Sequence, residues 1–301
     1  MLLAAIDIGT NSVRMLLAAQ QAGLLVELER TLTTTRLGAG LQSSGCLAEA
    51  GKKAACAAVK FNVQKARQQG ADRIIILGTS ALREARDGAA FARQLSQETG
   101  CKVEIITALQ EAKYSYLGVV KSLPGLEQAL VFDLGGGSCE FIWRRAGTIK
   151  AVSYKIGALY LTDCCLQHDP PRQKEIKAAQ SVIRHNLQCL PLTAAPLVGV
   201  GGTVTALTSL VLKMTAYDAK LIHGFCLTRE MVESQLRQLL TLSAAERAKL
   251  PGMPPRRAEI LPAGALVVAE LLAVTKQPAL TVSEGDLLLG CLYHAISSTS
   301  A

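Results

Sequence analysis

The 301-residue sequence is poor in aromatic residues and lacks the best-known nucleotide and nucleophile motifs. Phe, Trp and Tyr together make up 4% of the chain, which disfavours the stacking platforms typical of single-stranded nucleic-acid binding. No G-x-x-x-x-G-K-[ST], G-x-G-x-x-G or G-x-S-x-G pattern occurs, which argues against a Walker loop, a dinucleotide fingerprint and a serine-hydrolase elbow. Any phosphate group must therefore be held in another way.

Paired-cysteine motifs and secretion signals are also missing. The nine cysteines show no C-x-x-C spacing and the four histidines lie far apart, which predicts reduced thiols, no zinc site and a cytoplasmic location. The opening MLLAAID has no basic region, so we expect no signal peptide. Residues 186–212 carry no charge, but their prolines, glycines and threonines predict a buried strand, a turn and a helix rather than a membrane span.

The chain has an excess of positive charge. Its formal net charge is +8 at pH 7, and such an excess attracts polyanions, among them phosphorylated small molecules. A basic surface without a specific partner is an equally good explanation of the charge alone.

Two similar segments occur in the two halves of the chain. They are AAIDIGTNSVRML at 4–16 and VFDLGGGSCEF at 131–141, and each reads as an apolar strand, an aspartate, a glycine-rich turn and a second strand. Superposing them aligns four pairs: Asp7 with Asp133, Gly9 with Gly135, Ser12 with Ser138, and Arg14 with Glu140. The repeat predicts two related half-structures.

Short apolar strands alternate with helical segments along the chain, which predicts an α/β fold. We expect two domains, residues 1–121 and 122–301, each a mixed sheet flanked by helices, with a cleft between them. The last helix is expected to pack back on the first domain, and the C-terminal third to be largely helical.

Four glycine turns follow predicted strands and are rich in Ser or Thr. Consecutive backbone N–H groups in such turns can converge on one anion, and the missing side chains allow close approach. The turns predict phosphate binding by these residues: Gly9, Thr10, Asn11, Ser12, Thr79, Ser80, Gly135, Gly136, Gly137, Ser138, Gly201, Gly202 and Thr203.

The motifs IDIGTNSVRML, GTSALREA, QEAKYSYLG, VFDLGGGSCEF, GVGGTVTAL and IHGFCLT together resemble the exopolyphosphatase/guanosine-pentaphosphate phosphohydrolase family of the actin and sugar-kinase superfamily. The resemblance covers nearly the whole chain and implies two actin-like (ribonuclease H-like) domains. It implies hydrolysis of a terminal phosphoanhydride with Mg²⁺, or Mn²⁺ in its place. The implied site residues are catalytic Glu111 and Arg83, metal-associated Asp7, Asp133 and Glu140, and the four turns, with Arg14 as a further phosphate ligand.

Simpler roles remain open for several of these residues. Glu111 could be an ordinary first-turn glutamate stabilised by the helix dipole, and Glu140 could be an exposed strand residue. Arg83 could pair with Glu84 or Asp87 on the surface. The pair Arg256–Arg257 could guide a long polyanion or lie on a solvated face.

Two departures from the family pattern bear on the substrate. Leu159–Asp163 and Val282–Gly285 each lack an arginine that the family carries, which predicts a weaker grip on a long polyanion. We expect an exopolyphosphatase first, a guanosine pentaphosphate 5′-phosphohydrolase second, and a non-catalytic polyphosphate or nucleotide sensor third. No nucleic-acid or membrane partner is expected, and a homodimer is left open.

Overall fold

The computed structural model describes residues 1–190, 195–254 and 257–297. The chain divides into two compact units, of which unit 1 comprises Met1–Lys121 with the segment that starts at Asp286, and unit 2 comprises Ser122–Gly285. Within the described ranges, no helix combines the length and the apolar character that crossing a bilayer needs.

Unit 1 is built on a five-stranded mixed sheet in the order β3-β2-β1-β4-β5. Its strands are β1 (Leu2–Ile8), β2 (Ser12–Gln21), β3 (Leu24–Thr34), β4 (Arg73–Gly78) and β5 (Val103–Ile105). Its first five helices are α1 (Leu41–Ser44), α2 (Glu49–Gln68), α3 (Ser80–Glu84), α4 (Gly88–Thr99) and α5 (Ala108–Ser122).

Strand β1 is apolar at nearly every position because both faces of the sheet are covered. Ala4, Ile6 and Ile8 belong to a core beneath α2 and α4, whereas Leu3 and Ala5 belong to a second core. The second core also contains apolar residues of the last described helix, Leu287–Ser297. Strands buried on both faces read as continuous apolar runs.

Unit 2 is built on a six-stranded mixed sheet in the order β10-β11-β9-β6-β7-β8. Its strands are β6 (Leu130–Leu134), β7 (Cys139–Arg145), β8 (Thr148–Tyr154), β9 (Leu197–Val200), β10 (Cys226–Thr228) and β11 (Ala279–Val282). Its helices are α6 (Ala158–Cys165), α7 (Gln173–Leu187), α8 (Gly202–Val211), α9 (Ala219–Ile222), α10 (Arg229–Thr241), α11 (Ala244–Arg247) and α12 (Leu261–Val274), and the last helix of unit 1 is α13 (Leu287–Ser297).

The two sheets repeat one topology. In each, a three-stranded antiparallel meander continues into two parallel neighbours, with β3-β2-β1-β4-β5 matched by β8-β7-β6-β9-β11. The predicted α/β class with mixed sheets flanked by helices is confirmed. Strands β10 and β11 were not predicted, because only three and four residues long they carry little periodicity.

Candidate functional site

The glycine turn of unit 1 is closed by its own backbone. The N–H of Gly9 donates to the carbonyl of Ser12 at 3.0 Å, which joins the end of β1 to the start of β2. Residues 35–38 lie behind this turn, where Gly38 N–H donates to Thr10 O at 2.9 Å. The turn is therefore held in place by the chain that follows β3.

Asp7 lies at the end of β1, opposite Arg14 in the antiparallel register. Arg14 Nη2 donates to Asp7 Oδ2 at 2.7 Å and Thr79 Oγ1 donates to Asp7 Oδ1 at 3.3 Å. Asp7 is only 3% exposed, and a buried carboxylate is tolerated when cations and donors surround it. Both of its oxygens thus have partners inside unit 1.

The two predicted catalytic residues of unit 1 lie together. Arg83 Nη1 donates to Glu111 Oε2 at 3.0 Å and to the carbonyl of Ile106 at 2.9 Å. Glu111 is in the first turn of α5, as the dipole explanation requires, but its carboxylate is also fixed by Arg83. The alternative partners of Arg83 are engaged elsewhere, since Glu84 accepts from Ser80 and Asp87 from Lys52.

The glycine turn of unit 2 repeats the closure seen in unit 1. The N–H of Gly135 donates to Ser138 O, again at 3.0 Å. Here the first turn of α6 lies behind the loop, with Ala158 N–H donating to Gly135 O at 3.0 Å and Tyr160 N–H to Gly136 O at 2.9 Å. The predicted structural repeat therefore extends to a shared hydrogen bond.

Asp133 and Glu140 face each other in the register of β6 and β7. Glu140 is not a plain exposed residue, because its Oε1 accepts hydrogen bonds from Ser138 Oγ and Ser153 Oγ, each at 2.6 Å. Asp133 Oδ1 lies against Gly201, where a Cβ atom would come within 2.7 Å of it. Two carboxylates are thereby held on adjacent strands beside the glycine turn.

The second glycine turn of unit 2 carries a buried hydroxyl and lies against a half-buried arginine. Gly201 has φ +93° and precedes α8, and Thr203 is 1% exposed with an Oγ1 that has no hydrogen-bond partner among the described residues. The guanidinium of Arg257 covers Gly202 so closely that a Cβ there would lie 2.0 Å from Nη2. Burial lowers the pKa of Arg257. An unsatisfied hydroxyl and a desolvated cation at a helix N-terminus suit a phosphate group.

The donor set of unit 2 fits a hard divalent cation. Carboxylate oxygens of Asp133 and Glu140 are ligands that Mg²⁺ accepts, and this ion usually takes one or two carboxylates and completes its shell with water and phosphate oxygens. No cluster of three or more His, Cys, Asp or Glu side chains suited to a metal occurs in the described ranges. A cage made wholly of protein side chains is therefore not seen there.

The sequence motifs contain most of these residues, but for Arg257 they left a guide for a long polyanion and a solvated face equally open. The structure brings Arg83 to Glu111, Arg14 to Asp7, and Glu140 to Ser138, while Arg256 lies outside the described residues. A cavity of about 290 Å³ in unit 2, lined by His168, Arg247 and Glu259 among others, contains none of the predicted residues. The only sequence signal for Arg257 was that it forms a basic pair with Arg256. Its packing on Gly202, 55 positions earlier, is a tertiary contact that no local pattern predicts.

The two α/β units, each with an aspartate-bearing strand leading into a Gly–Ser turn, define a protein with the actin and sugar-kinase fold. A family model for the Ppx/GppA phosphatase family matches residues 16–299. The chain belongs to this family.

Similar proteins cover the chain almost end to end. Exopolyphosphatase 2 of Mycobacterium tuberculosis is 34% identical over 95% of this chain and 96% of its own length. A guanosine-5′-triphosphate,3′-diphosphate pyrophosphatase of Photobacterium profundum is 28% identical over 98% of this chain, which spans 59% of that protein. The crystal structure of a Ppx/GppA family member from Aquifex aeolicus has a TM-score of 0.93 at 28% identity, covering 100% of this chain and 99% of that one. The predicted family and fold are thus confirmed.

Proposed function

We propose that this protein is an exopolyphosphatase that hydrolyses the terminal phosphoanhydride of inorganic polyphosphate and releases orthophosphate. The observation that carries the proposal is the Arg83–Glu111 ion pair, which fixes a carboxylate at the start of α5. The 34% identical relative, itself named an exopolyphosphatase, supports the choice of substrate.

Glu111 is the general base in this proposal. Its carboxylate orients a water molecule and accepts a proton from it as the water oxygen bonds to the terminal phosphorus. The bond from that phosphorus to the bridging oxygen breaks, and the shortened polyphosphate leaves. Phosphoryl transfer of this kind depends mainly on positioning and on electrostatic stabilisation.

Arg83 has two roles in the proposal. Both of its hydrogen bonds within the described residues use Nη1, so Nη2 and Nε remain to donate to phosphate oxygens. The Nη1 contact holds the Glu111 carboxylate in one orientation. Planar guanidinium groups suit this double task because their donors are fixed in a fork.

The glycine turns bind phosphate oxygens through their backbone N–H groups. Arg257 and Thr203 add a cation and a hydroxyl at the Gly201–Thr203 turn, where Thr203 Oγ1 lacks another partner in the described ranges. Asp133 and Glu140 would hold Mg²⁺ or Mn²⁺, which when bound neutralises charge on the phosphate oxygens. Asp7 is assigned to Arg14, which it orients toward the turn of unit 1, and its metal role stays a prediction.

The test is phosphate release from long-chain polyphosphate by the wild type and by Glu111→Gln. Because a general base contributes about 10²–10⁴-fold, we expect the variant to lose activity by at least two orders of magnitude. The control is Glu104→Gln, an exposed glutamate of the same unit, which should retain full activity. Equal phosphate release by wild type and Glu111→Gln would show that Glu111 is not the base.

A second candidate is removal of the 5′-terminal phosphate of guanosine pentaphosphate, favoured by the likeness to the Photobacterium profundum protein. The same residues serve both reactions, so the substrates should compete. An assay with both present measures the ratio of their kcat/KM values. Tight binding of either compound without turnover over hours would instead identify a non-catalytic sensor.

A further inference from the structure

His223 belongs to the IHGFCLT motif and has no part in the chemistry proposed above. It follows α9, and its ring binds two backbone groups that are far apart in sequence. Nε2 lies 3.1 Å from the carbonyl oxygen of Ser122, and Nδ1 lies 3.1 Å from the amide nitrogen of Glu284. Ser122 is the first residue of unit 2 and Glu284 its penultimate one.

These two contacts determine the protonation of the ring. A backbone N–H can only donate, so Nδ1 accepts from Glu284 and carries no proton. Nε2 must then carry the proton, since the Ser122 carbonyl can only accept. The imidazole is therefore the neutral Nε2–H tautomer, and neither a cationic side chain nor an aliphatic one can satisfy both backbone groups.

The segment that His223 binds borders a phosphate-binding turn. Ser283 N–H donates to Gly199 O at 2.9 Å, and Gly199 lies in β9, directly before the Gly201–Thr203 turn. The neighbouring Gly224 N–H donates to Val282 O at 2.8 Å. The loop around His223 thus holds the end of β11 alongside β9.

We propose that His223 is a positioning residue that holds segment 283–285 against β9, and through it places the Gly201–Thr203 turn for substrate phosphates. The proposal rests on the proposed function, in which that turn binds the substrate. Loss of the His223 ring should weaken substrate binding and leave the chemical step at Glu111 nearly unchanged.

The experiment compares three substitutions that separate the two hydrogen bonds. His223→Asn keeps an acceptor near the position of Nδ1, His223→Gln keeps a donor near that of Nε2, and His223→Ala keeps neither. His185→Ala is the control, because His185 is an exposed histidine of the same unit. Hydrogen exchange of the Glu284 amide, followed by NMR, and kcat and KM for long-chain polyphosphate are measured for each protein.

We expect the Glu284 amide to exchange about fivefold faster in the Ala and Gln variants, as expected for one lost hydrogen bond. Their KM should rise by a similar factor, with kcat within about twofold of wild type. His223→Asn should restore both the slow exchange and the KM, and His185→Ala should match wild type.

Two results would overturn the proposal. One is an unchanged KM in His223→Ala and His223→Gln, and the other is a His223→Asn protein with the exchange rate and KM of His223→Ala. A general loss of folding would affect Asn and Gln alike and would not produce the expected order. If the wild type released no phosphate from polyphosphate, the proposed function would fail, and the Glu284 exchange rates would then decide by themselves whether His223 holds the segment.

Discussion

The two strand–turn–strand repeats have the same hydrogen-bonded turn, but the residues that face their aspartates have opposite charge. In each, an aspartate near the end of the first strand faces a charged residue in the register of the second, Asp7 facing Arg14 and Asp133 facing Glu140. The closing hydrogen bond from glycine N–H to serine O is 3.0 Å in both. The two repeats therefore share a backbone turn, and they differ in the charge of the residue that faces the aspartate on the second strand.

The difference bears on the roles proposed for the two turns. In unit 1 the Arg14 guanidinium balances the charge of the Asp7 carboxylate. In unit 2 two carboxylates face each other, and like charges directly opposite on neighbouring strands are destabilising. Ser138 and Ser153 donate to Glu140, but hydroxyls supply no charge. The charge of the unit 2 repeat therefore suits the Mg²⁺ or Mn²⁺ proposed above.

The largest expected effect comes from removing the charge that distinguishes unit 2. Glu140→Gln should lower the rate of phosphate release by about 10²–10³-fold, the scale for loss of one preorganised electrostatic group. It should also raise the Mg²⁺ concentration that gives half-maximal activity. Both are measured by titrating Mg²⁺ in the phosphate-release assay.

Thermal unfolding supplies a readout for Glu140→Gln that does not depend on activity. Bound ligand stabilises the folded state by mass action, so Mg²⁺ should raise the Tm of the wild type and not that of the variant. Glu233→Gln, at a surface i,i+4 pair with Arg229, should respond to Mg²⁺ as the wild type does. If activity and Tm of Glu140→Gln depended on Mg²⁺ as those of the wild type do, Glu140 would not be a ligand of the metal.

The two strand–turn–strand repeats could be predicted from the sequence, but the distant residues that contact them could not. Aligning the two halves predicted that Arg14 and Glu140 occupy equivalent positions, because the local hydrophobic pattern and the turn length set the strand register. It did not predict that Asp286 contacts Arg14 across 272 positions or that Arg257 covers Gly202. Such contacts depend on how distant elements pack, which no short pattern encodes, and for the same reason His223 had no role until its two partners were known.

A smaller effect is expected from removing the charge that distinguishes unit 1. Arg14→Met leaves Asp7, 3% exposed, without its cation, and breaking a buried pair in this way costs about 3 kcal/mol. Urea denaturation should show this loss in the free energy of unfolding. Adding Asp7→Asn should recover most of it, because the double variant no longer leaves a buried carboxylate at position 7 without its cation.

The corresponding change in unit 2 gives the contrast. Without metal, Glu140→Gln removes one of two like charges, so it should leave the free energy of unfolding unchanged or slightly higher. If Arg14→Met and metal-free Glu140→Gln destabilised the protein equally, the two repeats would not differ in charge balance as the structure indicates.

The smallest expected effect comes from adding a methyl group to the glycine that packs behind each turn, Gly157 in unit 2 and Gly38 in unit 1. A Cβ atom on Gly157 would meet three backbone atoms of the unit 2 turn at 2.4 Å, whereas one on Gly38 would meet the Thr10 methyl group at 2.4 Å in unit 1. A threonine side chain can rotate away, but the backbone of a hydrogen-bonded turn must shift. Gly157→Ala should therefore cost about 2 kcal/mol in stability, within the range for overpacking, and raise the KM for polyphosphate. Gly38→Ala should have less than half that effect on unfolding by urea, and an equal effect would mean that the two turns are supported with the same rigidity.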